Sequence, residues 1–291
     1  FLYHRFMLGG AGFLILPCVL IARNGECLRE IVLRHASDWE LGEDFSAWVI
    51  SACSFRNTLV DRIVSGAPAE GEDLGLGYAD DLVNTSEYFH LFVIEGEEDA
   101  RLPFARVGLH VKWVPSVEDY RTVKVRILNG AHTSMIPYAM ILGLETVGDC
   151  LRDERTASHL RGCLEEILLS MDGDEGENRA YAAEVLTRFA NPYIRHLCAA
   201  ISLNSVSKFR VRVLPSILAY REKKGEMPEH LLFALAMLIR FYRNGTPRDD
   251  ESTIARMRSG DIFALLSDVD LWGVSLTEYA EEVAHYADTS L

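Results

Sequence analysis

The sequence predicts two successive fold classes, a mixed α/β region followed by a mainly α-helical region. Two segments rich in β-branched and aromatic residues, Tyr88–Glu95 and Val107–Val114, are typical of strands. After Pro115 the apolar residues recur at helical spacing through most of the chain. The change of pattern places the domain boundary near residue 115, with one domain at 1–115 and the second at 116–291.

The elements of the first region follow from turn residues and apolar periodicity. Residues 12–21 predict a buried strand that ends at Pro17, with a turn at Asn24-Gly25 behind it. Gly66–Asp81, rich in Gly, Pro and acidic residues, predicts a solvated loop. Two helical patterns lie between this strand and this loop, at Glu26–Ala36 and Phe45–Ala52.

The second region is predicted to be a series of helices. Val117–Leu142 gives the longest pattern, and Pro137 is a candidate break within it, since proline removes a backbone donor. Gly, Pro and Asn-Pro breakers separate most of the later patterns. Those patterns cover 154–171, 177–190, 205–221, 228–243, 249–258 and 276–288.

Composition limits the classes of function. The 291 residues are 49% apolar and 25% charged, which is typical of a globular protein and not of a disordered one. The net charge of −14, from 43 acidic and 29 basic side chains, argues against a nucleic-acid partner. An anionic substrate would need a local basic pocket on such an acidic chain. No oligomeric state is predicted.

Cysteine usage and the N-terminal apolar run bear on location. Six scattered cysteines with no C-x-x-C pair predict reduced thiols and a cytoplasmic protein. The apolar run Phe6–Ile21 is too short to span a bilayer and is interrupted by glycines and Pro17. We therefore expect a loop and a buried strand at Phe13–Leu16 there, not a signal peptide or a membrane span. No His/Cys cluster has zinc-ligand spacing, so no metal site is predicted.

The most informative stretch is residues 124–132, KVRILNGAH. On an α-helix Lys124, Asn129 and His132 fall within an arc of about 140°, because each residue advances ~100°. Three polar groups on an otherwise apolar helix are unfavourable unless they are hydrogen-bonded or used. A lysine removed from water can exchange protons near neutral pH, and an amide and an imidazole beside it can hold the reacting oxygen.

The spacing Lys-x4-Asn-x2-His resembles the active-site helix of the mannitol dehydrogenase family, the polyol-specific long-chain dehydrogenases. The branch most similar to this chain is that of tagaturonate reductase, also called altronate oxidoreductase, on the string KVRILNGAHTSMIPYAMILGLETVGD. Three further segments resemble the family in the same order, at 12–25, 57–68 and 191–215. The resemblance implies the C-terminal part of a Rossmann-type domain, then a helical domain similar to the C-terminal domain of 6-phosphogluconate dehydrogenase.

The resemblance implies a zinc-independent, NAD-dependent oxidoreductase that interconverts two small sugar acids, tagaturonate and altronate. Lys124 would act as general acid/base, Asn129 would donate a hydrogen bond to the reacting oxygen, and His132 would hold a substrate hydroxyl or carbonyl. Each residue also has a structural alternative. These alternatives are an exposed lysine on an amphipathic helix, a helix-ending Asn-Gly pair, and a core histidine satisfied by a neighbour.

Two residues of the NTLVDRIVSGAP segment are candidate cofactor contacts. Asp61 matches a family position at the cleft between domains, where it would contact cofactor or substrate. Asn57 is a weaker candidate in the same motif. The structural alternative for Asp61 is an ion pair with Arg62.

Three basic residues are candidate substrate contacts. Lys208 matches a substrate-binding lysine of the family, and Arg210 and Arg212 lie close to it in sequence. A uronate carries a carboxylate that a polyol lacks, and a guanidinium binds a carboxylate through two parallel hydrogen bonds. We therefore predict that one of the three pairs with the substrate carboxylate; the alternative is a solvated basic helix face.

The chain departs from the family pattern in two places. It contains no G-x-G-x-x-G turn for a dinucleotide, so the resemblance implies that most of the nucleotide-binding domain lies upstream of Phe1. Leu20 stands where mannitol-type enzymes carry an oxyanion-holding asparagine, which argues against mannitol as substrate. The alternatives left open are a fructuronate/mannonate or mannitol-type dehydrogenase, and a truncated, non-catalytic helical domain.

Overall fold

The computed structural model describes residues 1–68, 71–72 and 74–289. The chain forms two compact units, one of Phe1–Val64 and Ser86–Thr122 and the other of Ser65–Thr85 and Val123–Leu291. The first unit mixes short strands with helices, and the second is built mainly from helices. In the part of the chain that is described, no helix is both long and apolar enough to cross a membrane.

The strands form three small sheets. Their bounds are β1 (Leu14–Ile15), β2 (Ser54–Phe55), β3 (Thr58–Asp61), β4 (Val64–Gly66), β5 (Thr85–Ser86), β6 (Leu91–Glu95) and β7 (Val111–Val114). β1 pairs with β2 in parallel. In the three-stranded sheet β3–β6–β7, β6 runs antiparallel to β3 and parallel to β7. β4 pairs with β5.

The strands are shorter than the sequence predicts. Of residues 12–21 only Leu14 and Ile15 are in a strand. The predicted strand Val107–Val114 begins at Val111, because Phe104–Val107 forms a 3-10 turn that Gly108 ends in a left-handed conformation (φ 68°). A left-handed residue cannot continue an extended strand, so the glycine sets where β7 starts.

The helices of the first unit are α1 (Leu2–Met7), α2 (Asn24–Asp38) and α3 (Glu43–Ala52). The predicted turn at Asn24-Gly25 is wrong, because both residues begin α2 and are buried. The Asn24 amide donates to the Thr58 carbonyl (3.1 Å) and accepts from the Thr58 backbone N–H (2.9 Å). A Cβ on Gly25 would lie 2.4 Å from the Arg56 carbonyl. The pair therefore lets the start of α2 pack directly on backbone.

The remaining helices follow β7, and most belong to the second unit. They are α4 (Glu118–Val123), a π-helix (Lys124–Asn129), α5 (Gly130–Ile141), α6 (Val147–Arg152), α7 (Glu154–Ser170), α8 (Glu175–Phe189), α9 (Cys198–Ile201), α10 (Ser205–Arg212), α11 (Leu214–Lys224), α12 (Glu229–Asn244), α13 (Glu251–Arg258), α14 (Ile262–Leu266), α15 (Val269–Trp272) and α16 (Ala280–Asp288), with a 3-10 turn at Thr277–Tyr279. α12 contacts α5, α7, α13 and α16 and is buried along most of its length. The core of the second unit therefore forms around α12.

Two prolines act differently from the prediction. Pro137 does not break its helix, because α5 continues through it to Ile141 with residues 130–139 all buried. Packing around a buried helix offsets the loss of one backbone hydrogen bond. The predicted helix 205–221 is instead two helices, α10 and α11, with Pro215 in the first turn of α11. Proline is well tolerated there because the first helical N–H groups have no intrahelical partner.

Candidate active site

The segment that carries the catalytic prediction is a π-helix, not the α-helix assumed from sequence. It runs from Lys124 to Asn129 and continues directly into α5. In a π-helix the backbone N–H of residue i+5 bonds the carbonyl of residue i, so Asn129 lies one turn beyond Lys124. The five-residue spacing in Lys-x4-Asn is therefore one turn of this helix.

The structure excludes two of the structural alternatives for this segment. Lys124 is buried, with 8% of its surface exposed, so it is not a solvated lysine on an amphipathic face. Asn129 is half-buried, and both it (φ −74°) and Gly130 (φ −62°) have right-handed helical conformations. The Asn-Gly pair therefore continues the helix and does not end it.

His132 lies inside a cluster of rings and cations. Its ring is 5% exposed and stacks on Phe189 at the end of α8, with centroids 4.0 Å apart and an interplanar angle of 23°. The edge of His196 meets it at 5.0 Å and 82°. Its Nε2 is buried, and within the described residues it has no hydrogen-bond partner. The third alternative, a core histidine satisfied by a neighbour, is therefore not what the structure contains at Nε2.

Burial and surrounding positive charge lower the pKa of His132 well below its usual value. Burial is the largest cause, followed by His196, Arg212, Arg188 and Lys208. The imidazole is therefore neutral at pH 7, with one nitrogen that donates and one that accepts. The same set of neighbours shows that positive side chains converge here on a chain whose net charge is negative.

Lys208 and Arg212 lie one turn apart on α10, on the side of the helix that is near His132. Lys208 Nζ donates to the Ile201 carbonyl (2.8 Å), and Arg212 Nη1 donates to Thr133 Oγ1 (3.4 Å). Burial lowers the pKa of both side chains. Among residues 1–68, 71–72 and 74–289, the Arg212 guanidinium forms no ion pair with a carboxylate.

Arg210 is separated from these two cations, although all three were predicted as substrate contacts. It is exposed, and its Nη1 donates to the Asp270 carbonyl (3.4 Å). Its side chain lines an open cavity of about 620 Å³ together with Asp249 and Asp250. Residues two apart on a helix point to different sides, so Arg210 cannot share the site of Arg212.

Gly130 allows the end of α10 to approach the helix that carries Asn129 and His132. A Cβ at this position would lie 3.3 Å from the Arg212 carbonyl oxygen and 3.4 Å from Ile167 Cδ1. The glycine between the two predicted catalytic residues thus leaves room for Arg212 to sit beside them. Its role is packing, since its backbone is helical.

The predicted cofactor contacts lie in the first unit. Asn57 Oδ1 accepts from the backbone N–H groups of Gly25 (3.1 Å) and Glu26 (3.2 Å), and its Nδ2 donates to Glu26 (2.9 Å) and Glu95 (3.0 Å). An asparagine amide has two donors and two acceptor positions, so all of them are used within the chain. Asp61 is buried at the end of β3, with 3% of its surface exposed. This geometry favours a structural role for Asn57 over direct cofactor contact.

Replacing Asn57 by Ala is expected to lower the free energy of unfolding by at least about 2 kcal/mol, because two backbone N–H groups lose their side-chain acceptor and two carboxylates each lose one of their donors. Urea unfolding measures the change, and Asn84→Ala, an exposed asparagine bonded to the Leu82 carbonyl, is the matched control. Unchanged stability combined with weaker NADH binding would instead identify Asn57 as a cofactor contact.

His196, Arg188 and Phe189 were not predicted as site residues. They come from distant parts of the sequence, with no spacing relative to His132 that would indicate a shared site. Only their packing in the helical unit brings them together. Within the described ranges, no group of three His, Cys, Asp or Glu side chains could hold a metal ion.

Comparison with known proteins places the chain in a family. The mannitol dehydrogenase Rossmann domain matches residues 1–104, and the mannitol dehydrogenase C-terminal domain matches residues 116–288. An altronate oxidoreductase of Bacillus subtilis (strain 168) is 42% identical over 298 residues, covering 96% of this chain and 62% of the relative. Another from Yersinia pestis is 39% identical over 308 residues, covering 96% and 64%. The chain thus spans about three fifths of the length of these relatives.

Two solved structures share the fold. D-sorbitol dehydrogenase in substrate-free form superposes with a TM-score of 0.82 at 23% identity, covering 98% of this chain and 62% of that one. The ternary complex of Pseudomonas fluorescens mannitol 2-dehydrogenase with NAD and D-mannitol gives 0.75 at 21% identity, covering 98% and 61%. The predicted Rossmann-type region followed by a helical domain is confirmed. From the two domain matches, the chain belongs to the mannitol dehydrogenase family.

Proposed function

We propose that the chain carries the substrate and proton-transfer site of an NAD-dependent oxidoreductase that interconverts tagaturonate and altronate. The observation that carries the proposal is the group of three cations around His132, of which Arg188 is buried and Lys208 and Arg212 are half-buried; such a group would bind an anionic sugar. The relatives named altronate oxidoreductase support this substrate pair, because their product or substrate is a sugar acid. The fold supports the reaction class.

Lys124 is proposed to be the general acid/base. In carbonyl reduction its ammonium gives a proton to the oxygen that becomes the alcohol, and in oxidation its amine takes that proton back. Asn129, one π-helical turn away, donates a hydrogen bond to the same oxygen. Neutral His132 holds a neighbouring hydroxyl and adds no charge to the reacting centre.

Arg212 and Lys208 are proposed to bind the substrate carboxylate. Removing a cation from water is unfavourable unless it is paired, and among the described residues the half-buried Arg212 guanidinium bonds the neutral Thr133 hydroxyl and forms no ion pair. A carboxylate on the substrate would complete the pair through charge-assisted hydrogen bonds. Fructose and mannitol have no such group, so this contact favours the sugar-acid branch over the polyol branch.

Bound NADH would supply the hydride when the ketone is reduced, and NAD would accept it when the alcohol is oxidised. The donor set of Lys124, Asn129 and His132 fits the proton-transfer half of that chemistry, since hydride addition to a carbonyl needs a proton donor and hydrogen-bond donors at the oxygen. In the first unit Asp61 remains the proposed cofactor contact. Asn57 does not fit that role, because its amide is fully bonded within the chain.

Steady-state kinetics of the chain with NADH and tagaturonate, fructuronate or fructose tests the proposal. We expect kcat/KM to be highest for tagaturonate. The value for fructose should be about 100-fold lower, because fructose has no carboxylate and so cannot form the charge-assisted hydrogen bond to the cations of α10, which contributes roughly 3 kcal/mol. Equal values for fructose and tagaturonate would indicate a polyol enzyme. Absence of turnover with every substrate and of NADH binding by fluorescence would favour a non-catalytic helical domain.

A further inference from the structure

His196 lies beside the proposed substrate site, and its backbone is fixed there. Its carbonyl accepts from the Val147 N–H at the start of α6 (3.0 Å). The next residues continue the attachment, since Leu197 bridges to Thr146 and the Cys198 N–H donates to the Glu145 carbonyl (2.9 Å). Backbone hydrogen bonds therefore fix the segment that carries the His196 imidazole where the ring contacts His132.

The two imidazoles share an unusual property. His196 Nδ1 and His132 Nε2 are both buried, and neither has a hydrogen-bond partner in the described part of the chain. The rings meet edge to face with centroids 5.0 Å apart. A buried polar atom without a partner is unfavourable by about 1–3 kcal/mol. Two such atoms on touching rings, at a site that already gathers cations, indicate a missing ligand group.

The chemistry of the two nitrogens indicates which group is missing. Burial lowers the pKa of His196, and burial with nearby positive charge lowers that of His132. Both rings are therefore neutral at pH 7, and each has one nitrogen that donates and one that accepts. A hydroxyl both donates and accepts, so one hydroxyl satisfies a donating nitrogen on one ring and an accepting nitrogen on the other.

We propose that one hydroxyl of the sugar acid is hydrogen-bonded jointly by His196 Nδ1 and His132 Nε2. His196 is then a substrate-binding residue that distinguishes sugar acids by the configuration of that hydroxyl. This inference rests on the proposed function, which supplies the substrate. The hydroxyl contact of His196 is additional to the contacts of Arg212 and Lys208, which are proposed to bind the carboxylate of the same substrate.

Asn and Gln substitutions separate this role from a structural one. The amide of Asn overlaps Nδ1 of histidine, and the longer amide of Gln overlaps Nε2. His196→Leu is expected to raise KM for tagaturonate about tenfold. His196→Asn should recover most of that loss, whereas His196→Gln should not. At His132 the order is reversed, with Gln recovering more than Asn. A structural role would show no such reciprocal order.

A double-mutant cycle supplies the second readout. If both nitrogens bind the same hydroxyl, the effects of His196→Leu and His132→Leu on KM should be strongly non-additive, because either change alone removes most of the joint contact. Additive effects, or equal KM values for the Asn and Gln variants at His196, would overturn the inference. Thermal unfolding of each variant confirms that it is folded.

Failure of the proposed function gives a different pattern. If the wild-type chain does not turn over tagaturonate, the same variants are compared by calorimetric binding of altronate, which does not need hydride transfer. Reciprocal Asn and Gln effects on altronate affinity would support the inference without catalysis. Absence of altronate binding by the wild-type chain would overturn both the inference and the proposed function.

Discussion

Replacing Lys124 by Met is expected to lower kcat for tagaturonate reduction about 10³-fold, within the range that general acid/base groups contribute. Met preserves most of the side-chain volume at this buried position but has no proton to transfer. KM should change much less, because the lost interaction acts mainly on the reacting oxygen in the transition state. Initial rates at saturating NADH measure the effect.

Two controls make the Lys124 result specific. Lys223, which forms an ion pair with Asp172 in the same helical unit, should tolerate Met with no change in kcat. Lys124→Ala should regain activity when a small primary amine such as ethylamine is added, because the amine can occupy the space and transfer the proton. A kcat within tenfold of wild type for Lys124→Met would remove the lysine from the mechanism.

Replacing Arg212 by Met is expected to raise KM for tagaturonate about 30-fold, corresponding to about 2 kcal/mol. The guanidinium is half-buried beside His132 and Thr133, so a carboxylate there would be partly removed from water and bound through charge-assisted hydrogen bonds. Fructose, which has no carboxylate, should show nearly the same KM with both proteins. The measurement that identifies carboxylate recognition is therefore the increase in KM for tagaturonate divided by the increase in KM for fructose.

Arg210 provides the matched control for Arg212. It has the same side chain, belongs to the same helix and lies two residues away, but it faces the Asp270 carbonyl on another side. Arg210→Met should therefore leave KM for tagaturonate unchanged. If both variants raised KM equally, the effect would come from the charge of α10 as a whole and not from a specific contact.

Most of the helices could be predicted because the spacing of apolar residues indicates which face of a helix is buried. The predicted helix Phe45–Ala52 is found at Glu43–Ala52, and the predicted 228–243 is found as Glu229–Asn244. Strand ends were less accurate. They depend on single backbone conformations, such as the left-handed Gly108 before β7, that periodicity does not encode.

The chemical site was only partly predictable. Residues close in sequence, such as Lys124, Asn129 and His132, could be grouped by spacing. The choice between Arg210 and Arg212 required the orientation of α10. His196 required the packing of a distant segment against α6, which the sequence does not reveal.

The π-helix also constrains how the length of this chain can change during evolution. Deleting one residue between Lys124 and Asn129 would convert its wide turn into an α-helical one. A five-residue π-turn and a four-residue α-turn each complete about one revolution, so Lys124 would still lie on the same side of the helix as Asn129 and His132. Active homologues are therefore expected to tolerate the loss of one residue between Lys124 and Asn129, but not between Asn129 and His132, where the helix is α-helical and one residue fewer rotates the two side chains by about 100° relative to each other.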